Sequence, residues 1–242
     1  MNSRPPIPVL YEDNHVIVVE KPVNMPCQAD PSGDLDVLTA VREDLKERYH
    51  KPGNVYLGLI HRLDRPVGGA MVFAKTSKAA SRLSDAVRTR SITKEYAAVV
   101  RGRPPKDSDR LVHYLWKDPS KNMVYAVRQN HKQAKEAVLD YRVLGSAEGL
   151  SLVHIRLHTG RTHQIRVQMA EIGCPLYGDQ KYGARLNRPG QQLALWSILL
   201  SFDHPTRKER LTIRSLPPRE YPWDCWDLSV YPSTVREEGM EP

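Results

Sequence analysis

Cysteine is scarce: Cys27, Cys174 and Cys225 are the only three in 242 residues. They are odd in number and too far apart for a zinc ribbon, a Cys-x-x-Cys redox pair or a disulfide framework, so free thiols in a reducing compartment are expected. Long apolar runs are missing too. None approaches the ~20 residues that span a bilayer, and the opening MNSRPPIPVLYEDN lacks the apolar centre of a secretory signal. The expectation is a soluble cytoplasmic protein with no membrane association. There is no Walker loop, dinucleotide fingerprint or Gly-x-Ser-x-Gly elbow, and no internal repeat or low-complexity block. No histidine pair has the i, i+4 spacing of a helical zinc site. His61, Asp64, His158 and His163 can be assembled only from two distant clusters whose arginines repel a cation, so no metal is expected.

Positive charge, by contrast, is plentiful. Lys plus Arg number 36 against 28 Asp plus Glu, a net charge of +8. Its distribution says more than its total. Between positions 61 and 135 there are 17 basic and 6 acidic residues, a net of +11, while the rest of the chain carries 19 against 22. A polyanion such as RNA or DNA suits this block, and so, taken alone, does a solvated basic face. With 40% hydrophobic residues, the chain can core one domain, expected over 1–229, with a flexible tail over 230–242.

The β-branched run VIVV after a Glu-Asp-Asn turn predicts a hairpin or strand entry over 10–21. Asp34 is placed to cap a helix over 35–49, in which Val37, Leu38, Val41 and Leu45 share a face. GGAMVFA at 68–74 reads as a buried strand, and an amphipathic helix begins at Ser77 with Ala80, Leu83 and Val87 inward. Strands are predicted over 94–100, 111–116, 123–127, 137–144 and 150–157, then a helix over 163–172, then late strands over 193–202 and 210–213. The class is α+β, with a mixed, mostly antiparallel sheet.

Two clusters are dense enough for chemistry. In GLIHRLDRPVGGAMVFAK (58–75), Asp64 lies between Arg62 and Arg65 before a proline and a glycine pair. A carboxylate between two guanidiniums stays ionised, which suits a nucleophile or electrostatic anchor better than a general acid. A surface ion pair is the plainer local reading. In HTGRTHQIRVQ (158–168), Arg161 and Arg166 flank a helix start, where they can meet phosphate or a buried acid. Between the clusters, Tyr96 in KEYAAVVRG (94–102) offers a ring on which a base can stack, or simply a core residue.

Together these segments resemble the RluA family of RNA pseudouridine synthases. HRLDRPVGGAMVFAK is similar to its motif around an invariant aspartate, KEYAAVVRG to its tyrosine motif, and LHTGRTHQIRVQMAEIGCPLYGDQKYG to its arginine motif and following turn. VLYEDNHVIVVEKPVNM and SFDHP match its opening and closing segments, so the likeness covers nearly the whole chain. It implies a pseudouridine-synthase fold, a central mixed sheet with flanking helices around an active-site cleft. By the same resemblance, Asp64 is the catalytic carboxylate, Tyr96 the aromatic packed on the target base and Arg166 the cation paired with Asp64. Arg62 takes the place of the flipped-out nucleotide or helps hold the RNA, and Leu195 lines the pocket. Arg65, Arg161, His163 and Gln164 complete the expected substrate-binding set.

The implied reaction breaks the glycosidic bond of a uridine in ribosomal or transfer RNA, turns the uracil and rejoins it through carbon 5. Asp64 attacks the sugar or abstracts a proton from it, and the base must leave its stack. No cofactor is implied. Leu10 already opens the catalytic motif, so no N-terminal RNA-binding domain is expected, and a monomer is. Three departures stand out: PVGGA (66–70) replaces the usual threonine-serine-glycine stretch, Gln168 stands where histidine is common, and Trp196 replaces a late histidine. The rival readings are a non-catalytic RNA-binding protein on the same fold and a metal-dependent nuclease.

Overall fold

The computed structural model describes residues 7–228, so the tail expected over 230–242 lies outside the described residues. In chain order the elements are β1 (Val9–Glu12), β2 (Val16–Lys21), α1 (Val37–Arg48), β3 (Gly58–Leu59), β4 (Gly68–Ala74), α2 (Ser77–Arg88), β5 (Thr93–Arg101), β6 (Ser108–Asp118), β7 (Met123–Val127), β8 (Lys135–Ala147), β9 (Leu150–Leu157), α3 (Gln164–Glu171), β10 (Leu195–Asp203) and β11 (Arg210–Arg214), followed by a short 3-10 turn, Trp223–Cys225. Among the described residues no helix is long and apolar enough to cross a membrane.

Local chemistry explains the element ends. Asp13 closes the first hairpin, its Oδ1 accepting the N–H groups of His15 (2.7 Å) and Val16 (2.9 Å), as a short carboxylate does in an Asx turn. The first helix corrects the sequence reading: its cap is Asp36, which accepts from Thr39 N at 2.9 Å, and the helix begins at Val37. Asp34 instead pairs with Arg65. Helix α2 is capped by Thr76. The strand β3 carries too few residues to show a pattern in sequence and exists because it pairs with β4.

The strands form one sheet in the order β1-β2-β4-β10-β5-β9-β8-β6-β7, with β11 on β10 and β3 on β4. Every pairing is antiparallel except β4 with β10. That parallel joint holds only Gly68 opposite Trp196 and Gly69 opposite Ser197. Alternation along the strands feeds two cores. Ile17 and Val19 of β2, with Met71 and Phe73 of β4, meet Val37, Val41 and Leu45 of α1. Val16, Val18, Ala70 and Val72 face the opposite way, onto Ala79 and Leu83 of α2. Each fully buried Val or Leu contributes about 1.5–3 kcal/mol, so the helices fix these strands from both faces. Val167 of α3 joins Leu115, Val124 and Ala137 of the far strands.

The glycine pair is what lets β4 approach β10. A Cβ on Gly68 would fall 2.2 Å from Trp196 Cζ3, and Gly69, at φ +109°, would place one 2.4 Å from Ser197 O. Two of the three departures from the resembled family, the glycine stretch and Trp196, are therefore two sides of one contact. The indole fills the space a side chain at position 68 would need, and its Nε1 donates to Ser215 Oγ at 2.8 Å. The third departure, Gln168, is wholly buried and donates to Leu111 O (3.1 Å) and Ala137 O (3.2 Å), tying α3 to β6 and β8.

Candidate active site

Beside the β4–β10 joint opens a cleft of about 700 Å³. Arg62, Asp64, Arg65, Tyr96, Arg161, His163, Gln164, Arg166 and Leu195 all line it. These are the nine residues singled out from the sequence. They come from four places: the loop before β4, the middle of β5, the β9–α3 turn with the start of α3, and the first residue of β10.

The loop bearing Asp64 is held from beneath. Lys21, at the end of β2, has no solvent exposure, and its ammonium donates to Pro22 O (2.8 Å), Arg65 O (3.0 Å) and Val67 O (2.8 Å). Burial pulls its pKa down to about 8. On the other side Cys27 Sγ donates to Leu63 O at 3.1 Å and accepts from Leu63 N at 3.3 Å, and burial raises the thiol's pKa. A turn bond from Val67 N to Asp64 O (2.9 Å) closes the loop. The side chain of Asp64 keeps 24% exposure, open to the cleft.

Arg166 meets Asp64 from α3, its Nη1 donating to Asp64 Oδ2 at 3.3 Å. The face of α3 that adjoins Ile165 and Met169 is itself buried, and Arg166 lies within it because Asp179 waits there. Nε and Nη2 each donate to an Asp179 oxygen at 2.8 Å. Burial works against Asp179's charge, but Arg166 and the N–H groups of Lys181 (2.9 Å) and Tyr182 (3.1 Å) hold its carboxyl below the usual range. The guanidinium also lies 5.2 Å from the centre of the Tyr182 ring. One edge of Arg166 is thus locked, and the remaining nitrogen is presented to Asp64.

The neighbours divide by how their polar atoms are used. His163, left-handed at φ +52°, has Nε2 3.9 Å from Asp64 Oδ2 and Nδ1 2.7 Å from the Tyr182 hydroxyl; burial lowers its pKa. Gln164 is spent on the scaffold: Oε1 accepts from Thr159 Oγ1 (2.8 Å) and Arg161 N (3.0 Å), and Nε2 donates to Val138 O (3.1 Å). Arg161 donates from Nε to Glu136 O at 2.9 Å. Arg65 binds Asn24 O (3.1 Å), Ser32 Oγ (3.1 Å) and Asp34, which ties the Asp64 loop to the segment before α1. Arg62 is exposed, whereas Tyr96 and Leu195 form the apolar wall at 6% and 4% exposure. Burial first, then the nearby Asp64 charge, raises the pKa of the Tyr96 phenol.

The four metal candidates all line the cleft, with His163 3.9 Å from Asp64, but among the described residues no three His, Cys, Asp or Glu side chains come together as a metal site. His61 Nε2 accepts from Val72 N at 3.1 Å, and burial with the Lys94 charge nearby pulls its pKa down to about 3. His158 Nε2 lies 2.7 Å from Asp140. Sequence reasoning missed Lys21, Cys27, Asp179 and Tyr182, the residues that position the carboxylate and its cation. An aspartate 13 residues beyond a candidate arginine is a weak signal, and none exists for Lys21.

Comparison with known proteins places this arrangement. The family model described as RNA pseudouridylate synthase matches residues 15–171. Ribosomal large subunit pseudouridine synthase D of Haemophilus influenzae is 35% identical over 225 residues, covering 85% of this chain and 66% of that protein. The protein of the same name from Yersinia pestis is 37% identical over 202 residues, covering 82% and 59%. The solved structure of human RNA pseudouridylate synthase domain containing 4 shares the fold, with a TM-score of 0.73 over 88% of this chain and 89% of that one at 24% identity. The chain therefore belongs to the RNA pseudouridylate synthase family, of the RluA type that its motifs resemble. It spans at most 66% of the length of these two bacterial relatives.

Proposed function

We propose that this chain isomerises uridine to pseudouridine in RNA, with Asp64 as the catalytic residue and ribosomal RNA as the substrate class. One observation carries the reading: a carboxylate open to the cleft is paired with an arginine that cannot turn away from it, because Asp179 grips its other edge. The names of the bacterial relatives favour large-subunit ribosomal RNA over transfer RNA.

In this reading the uridine leaves its stack and enters the cleft, since a stacked base hides its glycosidic bond. Asp64 acts on the sugar; attack at the sugar carbon and proton abstraction both start from its ionised carboxylate. Arg166 keeps that carboxylate aimed at the sugar, and His163 packs beside it. The ring of Tyr96 and the side chain of Leu195 hold the freed uracil while it turns. Arg62 enters the gap left in the RNA, and Arg161 contacts the backbone through the guanidinium nitrogens that Glu136 leaves free. Gln164 and Arg65 are assigned positioning roles, since their polar atoms are already engaged within the fold. Bonds broken and formed balance within the substrate, so no redox partner enters.

The test is conversion of uridine in a large-subunit ribosomal RNA transcript by the purified chain, with chelator and without added metal. Pseudouridine at defined positions is expected. Conversion confined to transfer RNA would redirect the substrate, and conversion of neither would sink the reading.

A further inference from the structure

We propose that Arg90 and Lys94 form a backbone-phosphate site on the cleft wall, gripping the RNA strand beside the target uridine; this rests on the pseudouridine synthase reading above. Both side chains line the cleft. Neither has a carboxylate or hydrogen-bond acceptor as partner among the described residues, whereas Arg65, Arg161 and Arg166 are each held by the protein.

Arg90 occupies a position that favours glycine. Helix α2 ends with Ser91 N bonded to Ala86 O (2.9 Å) and Arg90 N to Val87 O (3.2 Å), which puts Arg90 at φ +61°. That is the left-handed residue of a Schellman cap, where the absence of a Cβ is an advantage. The chain places its longest cation there instead and directs it into the cleft.

Lys94 is half-buried on β5, two residues before Tyr96, so the two side chains point to the same side of the strand. Its pKa is lowered by burial, as expected of a cation partly removed from water without a counter-ion. The β9–α3 turn closes over it: a Cβ on Gly160 would sit 3.3 Å from Lys94 Nζ. A cation desolvated and left unpaired is unfavourable unless a ligand completes it. The anion that an RNA modification cleft receives, beside the residue that holds the base, is a phosphodiester.

The experiment measures Kd for the ribosomal RNA transcript across a salt series, with KM and kcat for conversion, in wild type, Lys94→Gln, Arg90→Gly and the exposed control Lys208→Gln. Each cleft variant is expected to raise Kd and KM about tenfold, to leave kcat within about threefold, and to reduce the slope of log K against log salt by about 0.7, the value of one lost single-strand phosphate contact. Arg90→Gly should melt no lower than wild type, since glycine suits that backbone, so its lost affinity cannot be ascribed to misfolding. Slopes and KM indistinguishable from Lys208→Gln would overturn the proposal. Wild-type protein that binds the transcript without converting it would count against the function instead, with the salt slopes still reporting on the phosphate site.

Discussion

Replacing Asp179 by Asn isolates the device that aims Arg166. The native carboxylate takes two 2.8 Å bonds from Arg166 and two more from the backbone N–H groups of Lys181 and Tyr182. Its side chain is 1% exposed and that of Arg166 6%. An amide in its place turns an NH2 group toward one of these donors and leaves the buried guanidinium with only the partly exposed Asp64 as counter-charge. Breaking a buried pair in this way costs about 3–5 kcal/mol, or about 6–20 °C in melting temperature for a domain of this size. The single 3.3 Å bond to Asp64 cannot hold Arg166 by itself. Misplacement of about 1 Å in such a site lowers rate roughly 100-fold. Calorimetry and single-turnover conversion of a ribosomal RNA transcript read the two effects. A double variant, Arg166→Met with Asp179→Leu, separates them. An apolar pair of similar volume is often as stable as the ion pair it replaces, so the melting temperature should largely return while the activity does not. If Asp179→Asn kept wild-type stability and rate, Asp179 would not be what aims Arg166.

Two further outcomes follow from the frame around the site. Lys21 binds its proton less tightly when folded, with a pKa of about 8 against 10.5; across that window the unfolded chain holds a proton that the folded chain has released, so its contribution to stability rises with pH. The shift corresponds to about 3 kcal/mol. The stability of wild type relative to Lys21→Met, measured by denaturant titration, should therefore increase from pH 7.5 to pH 10; a flat difference would contradict the buried-ammonium account. Gly68→Ala forces a Cβ to 2.2 Å from the Trp196 ring, which should destabilise by about 1–3 kcal/mol. Adding Trp196→His should recover much of that loss, and strict additivity of the two substitutions would show that the residues do not share one space.

How far the sequence speaks depends on the range of the interaction. Strands β4, β7 and β9 begin and end where short apolar runs and flanking turn residues put them, because those signals are local. The cap of α1 was misread since Asp34 and Asp36 are equally good capping residues, and Arg65, 31 positions from Asp34, decides between them. That Asp64, Tyr96 and Arg166 share one cleft was legible through motif order. Lys21 was not: in VIVVEK it reads as the polar end of a strand, and its significance comes from carbonyls 44 and 46 residues away. Arg65 and Gln164 line the cleft as the motifs suggest, but the hydrogen bonds that tie them to Asn24, Ser32 and Val138 join segments too far apart in sequence to be read there.

Asp64→Asn tests the central claim most directly, because it removes the charge and keeps the shape. With RNA affinity measured alongside, conversion of uridine to pseudouridine should fall to background while the transcript binds as tightly as to wild type. Residual isomerisation at more than about 1% of the wild-type single-turnover rate, where loss of a nucleophile or base is worth far more than 100-fold, would contradict the assignment of Asp64.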